Sequence, residues 1–377
     1  MASDPMRVVI APQEFKGSLT AVEAAAAIEQ GVRAVLPDAE IDSVPVADGG
    51  PGTVEAIVHA ANGRTSIARV DGPLGAPVDA RWGRIDAGRC AVIEMAAASG
   101  LTLLRPEQLD PRRASTHGTG QLIKHALDAN VERILIGVGG SATNDGGAGM
   151  AEALGAVFLD EDGNRLPPGG AALRNLASIE IDRLDPRLAE VEIHVLCDVQ
   201  NPLLGHEGAS AVYGPQKGAD PACVAQLDRA LANFAAILER DLSASVAEIP
   251  GAGAAGGLAA GLMAFCGATL QSGFAAVSEA VRLPERIAQA DLVITGEGRL
   301  DTQSAYGKTV AGVAQLAHAA NMPCLAVAGL IDGRAELPGL TDSEASTPIG
   351  MSIDEAMSRT GELVPAAVER LLRRYSA

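Results

Sequence analysis

The chain switches repeatedly between short apolar runs and longer stretches with an apolar residue every three or four positions. The first run, Met6 to Ala11, is rich in β-branched residues and reads as a strand. Beyond Pro12–Ser18, Thr20 and Glu23 form a capping box for a helix carrying Val22, Ile28, Val32 and Val35 on one side, and Pro37 stops it. Ile41–Val46 reads as a second strand, followed by the turn Ala47-Asp-Gly-Gly-Pro-Gly52 and a helix from Thr53 to about Ala61. Strand, turn and helix return near the end: Asp291–Gly296 as strand, 297–301 as loop, Lys308 to Ala320 as helix, Pro323–Gly329 as strand. A last helix is expected from Asp354 to about Tyr375, with Pro365 as an irregularity inside it.

The middle of the chain has another rhythm. Thr65 to Met95 alternates, with turns at Gly72, Gly75, Gly83 and Gly88, so antiparallel strands are expected there. A helix from Thr119 to Ala129 feeds the strand Arg133–Ile136, and 157–182 is turn-rich. Val191–Leu196 reads as strand, Pro221–Arg240 as a long amphipathic helix, and an Ala/Gly helix follows the loop 249–257. The order predicts an α/β protein: a doubly wound parallel-sheet domain built from 1–63 and 286–377, with a second α/β domain containing a mixed sheet, 64–285, inserted into it.

Composition narrows the function classes. The chain has 377 residues, 47% hydrophobic but only 2% aromatic, so its core is built from Ala, Val, Leu and Ile. With 29 basic against 47 acidic residues the net charge is −18. That sign and the scarcity of stacking rings exclude general nucleic-acid binding. The N-terminus lacks the apolar segment of a signal peptide, and the five scattered cysteines lack CxxC spacing, so reduced thiols and a cytoplasmic location are expected. Gly251 to Leu270 is uncharged but dominated by Gly and Ala, which favours a buried helix over a membrane span.

The chemistry gathers where strands hand over to helices. Gly137-Val-Gly-Gly-Ser-Ala-Thr-Asn-Asp-Gly-Gly-Ala-Gly-Met150 links a strand to a helix, a place where backbone amides and the helix dipole suit a phosphate. Asp145, its one charge, reads either as a Mg²⁺ ligand or proton acceptor, or as a helix N-cap. The chain has four lysines, and three of them, Lys16, Lys217 and Lys308, adjoin a glycine beside an element end, where phosphate is the usual reason to keep an ammonium. Asp48, Asp198, Glu297 and Asp301 stand near strand ends, where carboxylates of open α/β sheets converge on a ligand. Gly251-Ala-Gly-Ala-Ala-Gly256 matches a dinucleotide pattern but follows no clear strand, and Gly307-Lys308-Thr309 lacks the leading glycine of a Walker loop. No histidine spacing suggests a metal, and His117, beside Gly118, reads as structural.

These stretches together resemble the bacterial glycerate kinases that make 2-phosphoglycerate. The resemblance rests on Ala11-Pro-x-x-Phe-Lys16, Pro45-Val-Ala-Asp-Gly-Gly50, Ala91–Leu101, Gly139-Gly-Ser-Ala-Thr-x-Asp-Gly-Gly147, Tyr213-Gly-Pro-Gln-Lys-Gly-Ala219, and Ile294-Thr-Gly-Glu-Gly-Arg299 with Asp301 and Gly307-Lys308. It implies a flavodoxin-like domain with an inserted α/β domain, an active site in the cleft between them, ATP and Mg²⁺ as cosubstrates, and a hydroxyl of D-glycerate as acceptor. On that reading Lys16, Asp145, Asp198 and Lys217 are catalytic, and Asp48, Asp145 and Asp198 bind the metal. Gly139, Gly140, Ser141, Thr143, Gly296, Gly298 and Lys308 hold nucleotide phosphates, and Lys16, Ser18, Arg299 and Asp301 hold the substrate. The chain departs from the family at Gln13-Glu14 (usually Asp-Ser), Pro51 (usually Glu) and Tyr306 (usually Gly). A related hydroxy acid as substrate, or a non-catalytic paralogue that binds a sugar acid or nucleotide, is therefore the alternative. A nicotinamide-dependent oxidoreductase is weaker still, and a homodimer is left open.

Overall fold

The computed structural model describes residues 5–300, 309–332 and 337–375. The strands in chain order are β1 (Arg7–Ile10), β2 (Glu40–Ser43), β3 (Arg64–Asp71), β4 (Pro77–Ile85), β5 (Cys90–Glu94), β6 (Arg133–Gly137) and β7 (Val157–Leu159). They continue with β8 (Ser178–Glu180), β9 (Glu192–Leu196), β10 (Thr269–Gln271), β11 (Leu292–Leu300), β12 (Cys324–Ile331) and β13 (Asp342–Ala345). The chain divides into two compact units. One comprises the chain up to Asp48, Glu55–Asn62, and everything from Phe274 on; the other comprises Gly49–Val54 and Gly63–Gly273.

The first unit is built on a five-stranded sheet in the order β13-β12-β11-β1-β2, parallel throughout. Two strands lie to one side of the first connection and three to the other, the doubly wound order with a switch point between β1 and β11. The helix Ala21–Val35 opens with the expected capping box: Thr20 Oγ1 accepts from the Glu23 amide at 3.2 Å, and Glu23 returns a bond to the Thr20 amide at 2.8 Å. Its buried stripe, Ala24, Ala25, Ile28 and Val32, packs with Val364, Val368 and Leu371 of the helix Thr360–Tyr375 over β1, β11 and β12.

The second unit holds a mixed six-stranded sheet, β10-β9-β6-β5-β4-β3. Strands β5, β6, β9 and β10 are parallel, while β4 runs antiparallel to both neighbours, as the alternation of 65–95 required. Its core is mostly aliphatic, with Trp82 and with Phe158, Phe234 and Phe265, whose ring centroids lie 5.8–6.4 Å apart. Two details differ from the sequence reading. β7 and β8 form a small antiparallel pair inside the turn-rich stretch, too short to show a period. The Ala/Gly helix follows the loop as expected, since Ala255, Gly256 and Gly257 have φ of +55°, +68° and +87° and the regular helix runs on from there to Cys266; among the described residues no helix is long and apolar enough to cross a membrane. The final helix is two, Ile353–Ser358 and Thr360–Tyr375, with Pro365 inside the second.

Candidate functional site

In the first unit a cavity of about 170 Å³ opens at the carboxyl ends of β1, β11, β12 and β13. The turn after β1 contributes Phe15, Lys16 and Ser18, β11 contributes Gly298 and Arg299, and Ile353 and Met357 contribute apolar side chains. Ligands bind at such a switch point because the loops leaving the two central strands diverge there. Lys16 and Arg299 are exposed, so this mouth carries two cations. Asp48, at the end of the turn after β2, accepts from Gln13 Nε2 at 3.0 Å. Burial raises the pKa of the nearby Glu14 carboxyl, with Asp48 pushing the same way and Lys16 opposing.

In the second unit the loop after β6 behaves differently from expectation. Gly139 and Gly140 are partly or fully exposed, but everything from Ser141 to Met150 is buried. Asp145 is 1% exposed, and its two oxygens accept four hydrogen bonds. The Thr116 amide and hydroxyl donate at 2.8 and 2.9 Å, and the Gly147 and Gly149 amides at 3.2 and 3.3 Å. Gly146 and Gly147 have φ of +63° and +81°, a left-handed turn that brings those amides round to the carboxylate. Gly147 is the N-cap of the short helix Ala148–Ala153, and Asp145, two residues before it, ties the Gly147 and Gly149 amides to Thr116. Burial raises the Asp145 pKa and the four bonds oppose that shift.

Lys217 is equally buried, at 1% exposed. Its ammonium donates to the Thr143 carbonyl at 2.6 Å, and burial pushes its pKa down to about 7, with the charge of Asp145 acting against the shift. Thr143 Oγ1 and Asn144 Oδ1 are buried beside it without a hydrogen-bond partner among the described residues.

These two sites can be set beside known proteins. The glycerate kinase family model matches residues 8–376. The chain is 52% identical to the glycerate 2-kinase of Escherichia coli K12 over 86% of its own length and 85% of that protein's. It is 48% identical to a glycerate kinase of Halalkalibacterium halodurans over 97% of each chain. The chain belongs to the glycerate kinase family. A crystal structure described as glycerate kinase 2 from Salmonella typhimurium LT2 superimposes with a TM-score of 0.89, covering 99% of both chains at 48% identity. The resemblance and the α/β fold with its parallel and mixed sheets are thereby borne out.

For a glycerate kinase the geometry sorts the expected residues. Lys16, Ser18, Gly298 and Arg299 line one cavity. Asp198, exposed after β9, accepts from the Ser272 hydroxyl at 2.8 Å and the Gly273 amide at 2.9 Å. Asp301 and Lys308 lie outside the described residues, as does Tyr306. Five of the expected residues are enclosed or engaged within the chain. The Asp145 oxygens are buried and accept four hydrogen bonds. The Lys217 ammonium is buried against the Thr143 carbonyl. Thr143 is itself fully buried. The Gly139 amide is engaged by the Gly49 carbonyl at 3.2 Å. Gly296 lies within strand β11, which runs on to Leu300 in register with β12, so the expected loop at 297 is strand instead. The Gly140 and Ser141 amides make no hydrogen bond among the described residues; Gly140 is exposed and Ser141 buried.

The family implies ATP as phosphoryl donor. For Mg²⁺, no group of three or more His, Cys, Asp or Glu among the described residues is placed to hold a metal. Mg²⁺ commonly binds through one or two carboxylates plus phosphates and water; of the expected carboxylates, Asp198 is exposed and Asp48 half-buried. Sequence reasoning missed Thr116, the main partner of Asp145. A buried carboxylate cannot be told from an exposed one by its neighbours in sequence.

Proposed function

We propose that this chain is an ATP-dependent kinase phosphorylating the 2-hydroxyl of D-glycerate to give 2-phosphoglycerate. The observation that carries the reading is identity near one half, over most of the chain, to proteins named glycerate kinase, one of them a glycerate 2-kinase. In the transfer the hydroxyl oxygen bonds to the γ-phosphorus, the bond to the bridging β,γ oxygen breaks, and ADP leaves. Lys16, Ser18 and Arg299 take the substrate carboxylate, with Asp301 two positions after Arg299 in the chain. Gly140, Ser141 and Lys308 hold phosphoryl oxygens. Asp198, exposed after β9, accepts the hydroxyl proton. Bound with the nucleotide, Mg²⁺ would neutralise phosphate charge, with Asp48 as its protein carboxylate. The five cysteines are free and buried, which supports a reducing cytoplasmic setting.

The test is ADP release by the purified chain with ATP, Mg²⁺ and a panel of small hydroxy acids, with phosphorus NMR of the product. Release that depends on D-glycerate, with the phosphate on C2, is expected. A thermal shift with glycerate but no ADP would replace the kinase with a binding protein, and phosphate on C3 would move the acceptor oxygen.

A further inference from the structure

A second cavity, of about 320 Å³, lies in the inserted unit at the carboxyl end of β3 and the start of the helix His117–Asp128. That volume is at the lower end of small-molecule sites, roughly 300–1,000 Å³. None of its residues belongs to the machinery assigned above. Asp71, the turn Gly72–Gly75, Arg113, Ser115, His117 and Glu152 form most of its wall.

The polar groups here are arranged and underused. His117 Nδ1 stands 2.9 Å from Asp71 Oδ2. The same carboxylate oxygen accepts from Gln121 Nε2 at 3.2 Å, and the Asp71 amide donates to Gln121 Oε1 at 2.7 Å. Gly118 is required for this approach, because a Cβ there would collide with the Asp71 carbonyl oxygen. With Nδ1–H facing Asp71, Nε2 is left as an acceptor, and it makes no hydrogen bond among the described residues. Ser115 Oγ is buried and accepts from the His117 amide at 3.2 Å, which leaves its own proton to donate. Arg113 is exposed and Glu152 half-buried; neither side chain has a hydrogen bond or ion pair among the described residues, and Arg113 attracts Asp110 only through space.

A guanidinium fits a carboxylate, and an imidazole nitrogen and a carboxylate fit hydroxyl protons. We propose that this cavity binds a small hydroxy carboxylate, with its acid group on Arg113 and its hydroxyls on His117 Nε2, Glu152 and Ser115, as a site separate from the Lys16–Arg299 cavity. The proposal does not depend on kinase activity, since binding is read without turnover.

The experiment is isothermal titration of the full chain with D-glycerate and with D-tartrate, repeated on Arg113→Met and His117→Phe, alongside steady-state kinetics. The wild type is expected to bind more than one equivalent of acid. Arg113→Met is expected to weaken one class of site by about 10- to 100-fold, the loss of a charge-assisted hydrogen bond, and to leave the other class intact. A single class of site, weakened in both variants with KM for glycerate raised to match, would overturn the separation and make this cavity the acceptor's own. If both variants bind every acid as the wild type does, at unchanged melting temperature, the cavity is not a hydroxy-acid site. Binding of inorganic phosphate in place of the acids would likewise overturn the assignment. His117→Phe keeps the ring volume, so a folding defect in one variant leaves the other to decide.

Discussion

Lys16 and Lys217 carry the same local signature, a rare lysine followed by glycine, yet they occupy opposite environments. Lys16 is exposed at the mouth of a cavity, beside Arg299. Lys217 is buried and holds a carbonyl of the loop after β6. The acids repeat the contrast: Asp198 is exposed, while Asp145 is enclosed by four donors. A charged residue in a Gly-rich stretch can therefore either meet a ligand or shape the backbone that meets it. One region should respond to mutation in its substrate kinetics and the other in its stability.

The largest effect is expected at Asp145. Asp145→Asn turns an acceptor of four bonds into a side chain with a donor face in the same buried place, and should cost about 3–5 kcal/mol of stability in urea unfolding. A variant as stable as the wild type but slow in turnover would return Asp145 to the reacting groups. Lys217→Met tests the same region through pH. The folded pKa of Lys217, about 7, lies below the ordinary lysine value, so above pH 7 the native state holds fewer protons here than the unfolded state. Wild-type stability relative to Lys217→Met should therefore rise with pH from about 7 towards 10, by about 1.4 kcal/mol for each unit of pKa shift. A pH-independent difference between the two proteins would mean that the ammonium is not held in a dry site.

The exposed cavity should behave the other way. Lys16→Met and Arg299→Met should each raise KM for glycerate by about 10- to 100-fold while the urea midpoint stays put. A shifted midpoint with unchanged KM would erase the distinction between the regions. The smallest effect is expected at the capping box beside that cavity, where Thr20→Ala should cost about 1 kcal/mol of stability and leave KM alone.

Much of the fold was legible before any coordinates. The Thr20–Glu23 box, the alternation of 65–95 and the β-branched runs at 6–11 and 133–136 each express a local rule, and each produced the expected element. The cavity residues Lys16, Ser18 and Arg299 were legible because the carboxyl ends of parallel strands converge. What neighbours in sequence do not show is where a local rule meets a distant partner. The Gly139 amide is engaged by Gly49, and the carboxylate of Asp145 by Thr116, 29 positions away. His117 likewise pairs with Asp71, 46 positions distant.

The sequence by itself determined which segments become strands and helices, the aliphatic character of the core, and membership of the glycerate kinase family, since periodicity, capping and motif are properties of neighbouring residues. Tertiary structure alone decided which of the scarce charges face solvent and which are enclosed. Burial and the desolvation it brings are imposed by segments far apart in the chain, and the same Lys-Gly pair can lie on either side of that boundary.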